Sequence, residues 1–271
     1  MKRDSLLWKN ADATRLKGIR GVAFDIDDTF SSRGKITPEA YAALWRLKKA
    51  GYALAPITGR PAGWCDHIAR FWPVDAVVGE NGAFVFFMQN GVRKRIDTPK
   101  EFSREESRKK LEALGERIRA EFPEAAWASD QDYREFDLAI DYCEDVSPWP
   151  DFEVERLVEL CKTAGAQAKV SSVHVNAWFG KYDKVTGFRT WLGAGAPGLN
   201  GPVPSFEQWL FIGDSPNDEP MFEAFAHSVG VANLGPFLDQ IAHTPVWITD
   251  GLSGEGFVEM ADRLLAAVRA K

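Results

Sequence analysis

Cysteine is scarce in this chain of 271 residues: Cys65, Cys143 and Cys161 are its three. They stand far apart and in no zinc-binding spacing. An odd number does not close a disulfide framework, so free thiols are expected. Histidine is nearly as rare, with four residues; His67, His227 and His243 have no spacing to a partner and receive no role. No apolar run is long enough to span a bilayer. The N-terminal stretch Met1-Lys2-Arg3-Asp4-Ser5-Leu6-Leu7-Trp8-Lys9 starts basic but lacks the apolar centre of a signal peptide. No membrane role is expected, and a reducing cytoplasm is the expected setting. Excess positive charge is missing too. A formal net charge of −6 offers nothing to hold a nucleic-acid backbone. Internal repeats and low-complexity segments are absent.

What remains is the composition of a folded globular protein, 45% hydrophobic and 27% charged. The length suits two domains better than one. Ten tryptophans are many and point to aromatic packing or a pocket wall.

Strand and helix signals alternate from Gly21 to Gly82. Apolar runs at Gly21 to Ile26, Tyr52 to Ile57 and Ala76 to Val78 read as strands. Thr37 and Pro38 open a helix that stops at Gly51, and Pro61 opens another. The pattern then changes. Asn90-Gly91 marks a hairpin between Ala83 to Met88 and Val92 to Ile96. Ser103-Arg104-Glu105-Glu106 is a capping box before a helix reaching about Phe122. Strands are expected at Phe136 to Tyr142 and Val173 to Phe179, with a helix between them ending near Gly165. Alternation returns with a helix at Asp183 to Leu192. Strands follow at Trp209 to Ile212, Ser228 to Val231 and Val246 to Ile248, then a terminal helix at Ser253 to Ala270. The expected fold is α/β: a doubly wound parallel-sheet core (1–82 and 183–271) with an inserted α+β cap domain (83–182).

Polar clusters follow three of the apolar strands: Asp25-x-Asp27-x-Thr29, Thr58, and Asp214-x-x-Asn217-Asp218. Parallel sheets bind ligands beyond the carboxyl ends of their strands, so these clusters should share one crevice, which Lys184 can enter from the start of its helix. Carboxylates gathered at a strand end repel one another and lose hydration. A divalent cation is the simplest compensation, and phosphoryl transfer to a carboxylate is the natural chemistry. Taken singly, Thr58 reads as a helix N-cap, Lys184 as a solvated lysine and Asp28 as a turn carboxylate. Lys181 rivals Lys184 by spacing.

With Asp25-Ile26-Asp27-Asp28-Thr29, Ile57-Thr58-Gly59-Arg60, Lys184 and Gly213-Asp214-Ser215-Pro216-Asn217-Asp218, the chain resembles the haloacid-dehalogenase superfamily of phosphatases beyond about residue 18. The insertion after Glu80-Asn81-Gly82-Ala83 is similar to the larger α/β cap of the Cof-type and sucrose-phosphatase-like branch. The resemblance implies Asp25 as nucleophile, Asp27 as general acid and then base, and Thr58 and Lys184 on the phosphoryl oxygens. It implies Mg²⁺ held by Asp25, Asp214, the backbone carbonyl of Asp27, and Asp218. The extra acid, Asp28, should face solvent.

Substrate choice should lie in the cap. Strand 173–179 alternates, with His174, Asn176 and Trp178 on one face. His174 and Asn176, with Arg60, Asn81 and Asn217, are the candidate substrate contacts. Arg93-Lys94-Arg95 reads as a solvated hairpin edge rather than a second anion site. The implied substrate is a small phosphorylated metabolite, a sugar or polyol phosphate. Rival readings are a phosphomutase with the same aspartyl-phosphate, a signalling module resembling a receiver domain, and a silent binding protein. The inserted lobe and the late Gly213-Asp214 cluster have no place in a receiver.

Overall fold

The computed structural model describes residues 7–99 and 101–269. The stretch 1–6 of the N-terminal expectation and Ala270, the expected end of the last helix, lie outside the described residues. After α1 (Ala13–Leu16) come β1 (Gly21–Phe24), α2 (Pro38–Lys49), β2 (Ala53–Pro56), α3 (Ala62–Phe71), β3 (Ala76–Gly79), β4 (Phe84–Gln89) and β5 (Val92–Asp97). The middle of the chain carries α4 (Arg104–Glu121), β6 (Ala126–Trp127), β7 (Asp137–Asp141), α5 (Asp151–Thr163), β8 (Gln167–Val170) and β9 (His174–Trp178). The last part is α6 (Lys184–Gly193), β10 (Trp209–Gly213), α7 (Glu219–Ala224), β11 (His227–Gly230), β12 (Trp247–Ile248) and α8 (Ser253–Arg269).

Five strands form a parallel sheet in the order β12-β11-β10-β1-β2. From β1 the chain winds outward through β2. From β10 it winds the other way through β11 and β12. The direction therefore reverses between β1 and β10, where Phe24 stands beside Ile212. That reversal opens a crevice beyond the two strand ends.

β1, β2 and β10 are buried on both faces, which is why each reads as an unbroken apolar run. One face packs on α2 and α8 through Leu44, Leu47, Phe257, Met260 and Leu264. The other packs on α6 and α7 through Phe188, Trp191, Met221 and Phe222. Burying one such leucine contributes roughly 2 kcal/mol. The start of α2 is fixed by Thr37, whose Oγ1 accepts from Ala40 N at 3.2 Å, with Pro38 following. Gly51, at φ +88°, ends the connection in the left-handed region. Trp8, Trp191 and Trp209 are wholly buried, so these tryptophans are core packing.

The hairpin expected inside the inserted lobe belongs elsewhere. β4 pairs antiparallel with β3, and β3 meets β2 through a parallel bridge between Ile57 and Val78. Phe84 to Phe87 are all buried and need cover on both faces, which α3 and α6 give them. The lobe has its own sheet, β6-β7-β9-β8. Its back is covered by α4 and α5 through Leu114, Ile118, Leu157 and Cys161. The capping box at Ser103 is formed on both sides. β8 escaped the sequence reading because it is an edge strand with Gln167 and Lys169 exposed.

Among the described residues, no helix is long and apolar enough to cross a membrane. All three cysteines are free; Cys65 and Cys161 are buried. His67 stacks on Phe71, His227 stacks on Trp247, and His243 lies near Glu219 and Glu223.

Candidate active site

Asp25 lies one residue past β1, and its N–H donates to Ile212 O on β10 at 3.0 Å. The backbone then turns sharply, because Phe30 N and Ser31 N both donate to Ile26 O. For this reason the strand ends before Ile26. Asp28 sits in the turn at φ 54°, a region that aspartate tolerates better than most residues. Expected in solvent, it is half-buried, with Asn233 Nδ2 donating to its carbonyl at 3.0 Å. Thr29 Oγ1 donates to Asp214 Oδ1 at 3.0 Å, tying the end of β1 to the end of β10.

Asp214 and Asp218 come from the loop after β10. A Cβ at position 213 would stand 2.4 Å from Asp218 Oδ2. Glycine there lets the Asp218 carboxylate tuck under the loop and accept from Asp214 N at 3.1 Å. Lys184 arrives by another close approach. A Cβ at Gly187 would lie 2.7 Å from Gly82 Cα, and one at Gly82 only 1.9 Å from Asp183 O. The first turn of α6 therefore rests on the 80–82 turn, backbone to backbone. Lys184 is buried there, with Nζ 2.7 Å from both Asp25 Oδ1 and Asp218 Oδ1. Lys181 is exposed.

This cluster is short of cations. Asp25, Asp214 and Asp218 each offer an oxygen, all within 4.8 Å of one another. Burial pushes Asp25 up to about 8, with the Lys184 ammonium opposing and Asp218 and Asp27 adding to the rise. Burial also drives Asp214 well above the usual carboxylate range, reinforced by Asp25 and Asp218. Burial works against the Lys184 ammonium, but Asp218 and Asp25 outweigh it and raise its affinity for the proton. An all-oxygen, carboxylate-rich set of this kind fits a hard divalent cation such as Mg²⁺.

Asp27 shares a crevice with Asp25, Asp214, His174 and Asn176. Thr58 is buried at the end of β2, and its Oγ1 accepts from Arg60 N at 3.0 Å. It does not cap α3, whose N-cap is Pro61. Asn217 lines the crevice, and its Oδ1 accepts from Ser215 Oγ.

Of the expected substrate contacts, Asn81 lies apart from this crevice and Arg60 is already paired. Asn81 is buried behind Gly59 and lines a separate crevice with Lys181 and Tyr182; its Nδ2 has no hydrogen-bond partner among the described residues. Arg60 is not free to meet a ligand. Its Nε and Nη2 donate to Asp27 at 2.9 to 3.1 Å, and Nη2 donates to Glu144 Oε1 at 2.6 Å. Asp130 Oδ2 lies 3.4 Å from Nη1.

β9 does alternate as its sequence suggests. Val175 and Ala177 face the lobe's core, while His174 and Asn176 face the crevice. Asn176 Nδ2 donates to Asp137, which also binds Arg134. Arg134 in turn donates to Gly59 O at 2.9 Å, and Glu80 accepts from Ala62 N, Glu135 N and Phe136 N. These bonds sew the lobe to the core. The Arg93-Lys94-Arg95 run is spent locally: Arg93 pairs with Asp66, and Arg95 with Asp97 and Glu135.

Glu144, Asp130, Arg134 and Asp137 escaped the sequence reading, as did Asn233. The rule that found the other clusters, polar residues just past an apolar strand, also reaches Asn233 beyond β11. Asp137 was visible on the polar face of an alternating strand. Glu144 stands in a loop with no local signal.

A profile of the haloacid dehalogenase-like hydrolases matches residues 22–131. No curated protein sequence matches the chain. Solved structures match nearly end to end. A Thermoplasma acidophilum protein is 21% identical, with 91% of this chain and 98% of that one covered and a TM-score of 0.69. The sucrose-phosphatase of Synechocystis sp. PCC6803, solved with sucrose and phosphate, is 16% identical over 90% and 97%, with a TM-score of 0.61. A haloalkanoate-superfamily phosphatase from Bacteroides thetaiotaomicron is 15% identical over 91% and 95%, also at 0.61. At such identities the likeness speaks to the fold. Over residues 22–131 the chain is similar to the haloacid dehalogenase-like hydrolases, and over nearly its whole length it shares the fold of these solved structures.

Proposed function

We propose that this protein is a haloacid dehalogenase-like hydrolase, a Mg²⁺-dependent phosphatase that cleaves a small phosphorylated metabolite, a sugar or polyol phosphate, through an aspartyl-phosphate. The observation that carries this reading is the cluster of Asp25, Asp214, Asp218 and Lys184 at the reversal point of the sheet, with Asp27 in the same crevice. The likeness to phosphatases, one of them a sucrose-phosphatase, supports the substrate class.

Asp25 attacks phosphorus, forming a carboxylate oxygen–phosphorus bond as the bond to the leaving oxygen breaks. Asp27 gives its proton to that oxygen. It then takes a proton from the water that cleaves the aspartyl-phosphate and frees Asp25. Lys184 and the Thr58 hydroxyl hold the phosphoryl oxygens. Asp25, Asp214, the Asp27 carbonyl and Asp218 would hold Mg²⁺, which when bound offsets the repulsion between phosphate and carboxylate. His174 and Asn176, on the lobe face, meet the leaving group. We read the lobe as a cap whose closure keeps bulk water out.

Phosphate release across a panel of phosphorylated sugars, polyols, nucleotides and glycolytic acids tests this. Asp25→Asn should lower release by at least about 10⁴-fold with an unchanged melting temperature. Near-normal turnover in that variant removes the covalent route. Isomerised sugar phosphate without release points to a mutase.

A further inference from the structure

We infer that Glu144 is a positioning residue for Asp27, acting through Arg60, so that the seated lobe aligns the proton-carrying carboxyl. The inference rests on the reading of Asp27 as acid and base. Among the described residues, the Arg60 guanidinium is the one side chain hydrogen-bonded to the Asp27 carboxylate. Whatever orients Arg60 therefore orients Asp27.

The guanidinium is a flat fork whose two edges can each grip a carboxylate. One face lies over the Trp64 ring, 4.5 Å from its centroid. The Nε and Nη2 edge grips Asp27. The Nη1 and Nη2 edge grips Glu144, at 3.3 Å to Oε2 and 2.6 Å to Oε1. Trp64 and Asp27 precede the lobe in the chain and flank the core sheet, whereas Glu144 sits in the loop after β7. The core alone leaves the second edge of the fork open, and the lobe closes it. Asp130, also from the lobe, is a weaker partner at 3.4 Å, and its other oxygen is taken by Arg134.

Glu144 is itself aimed. Asp141, the last residue of β7, accepts from Cys143 N, Glu144 N and Asp145 N at 2.7 to 2.9 Å. This pins the loop that carries Glu144. His174 Nε2 stands 2.9 Å from Glu144 Oε2. The chain of contacts runs from Asp141 through the loop to Glu144, then Arg60, then Asp27. Neither Glu144 nor Arg60 gains or loses a proton. The proton leaves Asp27 for the departing oxygen as the phosphorus–oxygen bond breaks.

A misaligned acid harms a poor leaving group more than a good one, because only the poor one needs the proton early. The test is a series of para-substituted phenyl phosphates, alike in size, with phenols from 4-nitrophenol to phenol. Glu144→Ala should raise the kcat ratio of p-nitrophenyl to phenyl phosphate by about tenfold or more, with KM moving less than about threefold. Glu144→Gln keeps an acceptor for Arg60 and should recover much of that ratio. Asp27→Asn should show the same trend, and adding Glu144→Ala to it should change the ratio no further. An equal loss across the series makes Glu144 a structural or substrate contact and overturns the inference. If Asp27→Asn itself leaves the ratio unmoved, the role of Asp27 falls, and the inference with it.

Discussion

Two carboxylate clusters meet at one crevice, lined by Asp25 and Asp214 of the first and Asp27 of the second, and they are solved in opposite ways. In the core, Asp25, Asp214 and Asp218 face one another around a single ammonium, and burial lifts Asp25 to about 8. At the seam with the lobe, Asp27, Glu144, Asp130 and Asp137 each touch a guanidinium of Arg60 or Arg134. There Glu144 is held down to about 2, by the close His174 ring and by Arg60, against its partial burial. The His174 approach is not aligned as a hydrogen bond, whereas Arg60 Nη2 donates to Glu144 Oε1 at 2.6 Å. A carboxyl group is thus driven up where burial outweighs its one ammonium, and down where close cations outweigh partial burial. Crowded acids without enough cations are compatible with a bound metal ion. Acids forked by arginine make a joint.

The contrast breaks most visibly at the metal. Removing divalent cations with EDTA should take turnover to background, and Mg²⁺ should restore it. Mg²⁺ should also raise the melting temperature by several degrees, since saturation at 100 times Kd contributes about 2.7 kcal/mol. Asp214→Asn should lose both responses. An equal thermal shift in that variant would mean that the core cluster is not the binding site.

Next in size is Arg60→Lys. An ammonium cannot fork, so Asp27, Glu144 and Asp130 would share one poorly matched partner. The expected cost is about 2–4 kcal/mol, or a fall of roughly 5–10 °C in a thermal melt. A change below about 1 °C would show that the seam is no stronger than a surface ion pair.

The smallest effect is in pH. Glu144 has a folded-state value of about 2, below its ordinary 4.5, so its stabilisation is complete above the ordinary value. It drains away as pH falls from there toward about 2. Wild type should therefore lose more melting temperature than Glu144→Gln between pH 6 and pH 3, by a degree or two. A constant gap between the two proteins across that range would contradict the assignment.

The core half of the site was legible because its pattern is local. An apolar run followed at once by acids can be read without knowing the fold, and it led to Asp25, Thr58 and Asp214. Lys184 needed only its place at a helix start. The seam was not legible, because Arg60 meets Asp130 and Glu144 across 70 and 84 residues. No spacing in the chain announces such a pair. For the same reason Arg60 looked free to take a ligand. The hairpin at Asn90-Gly91 was read correctly as a hairpin, but its sheet was not, since pairing to β3 is decided by which faces remain uncovered.

The meeting of Gly82 with Gly187 carries one last consequence. A lysine that grips two acids, one beyond β1 and one beyond β10, is set in place by a contact made of bare main chain. Tolerance there should be a step and not a slope. At position 82 even a methyl group collides with the Asp183 carbonyl, so alanine should do as much harm as a bulky residue, and a saturation scan should return glycine alone.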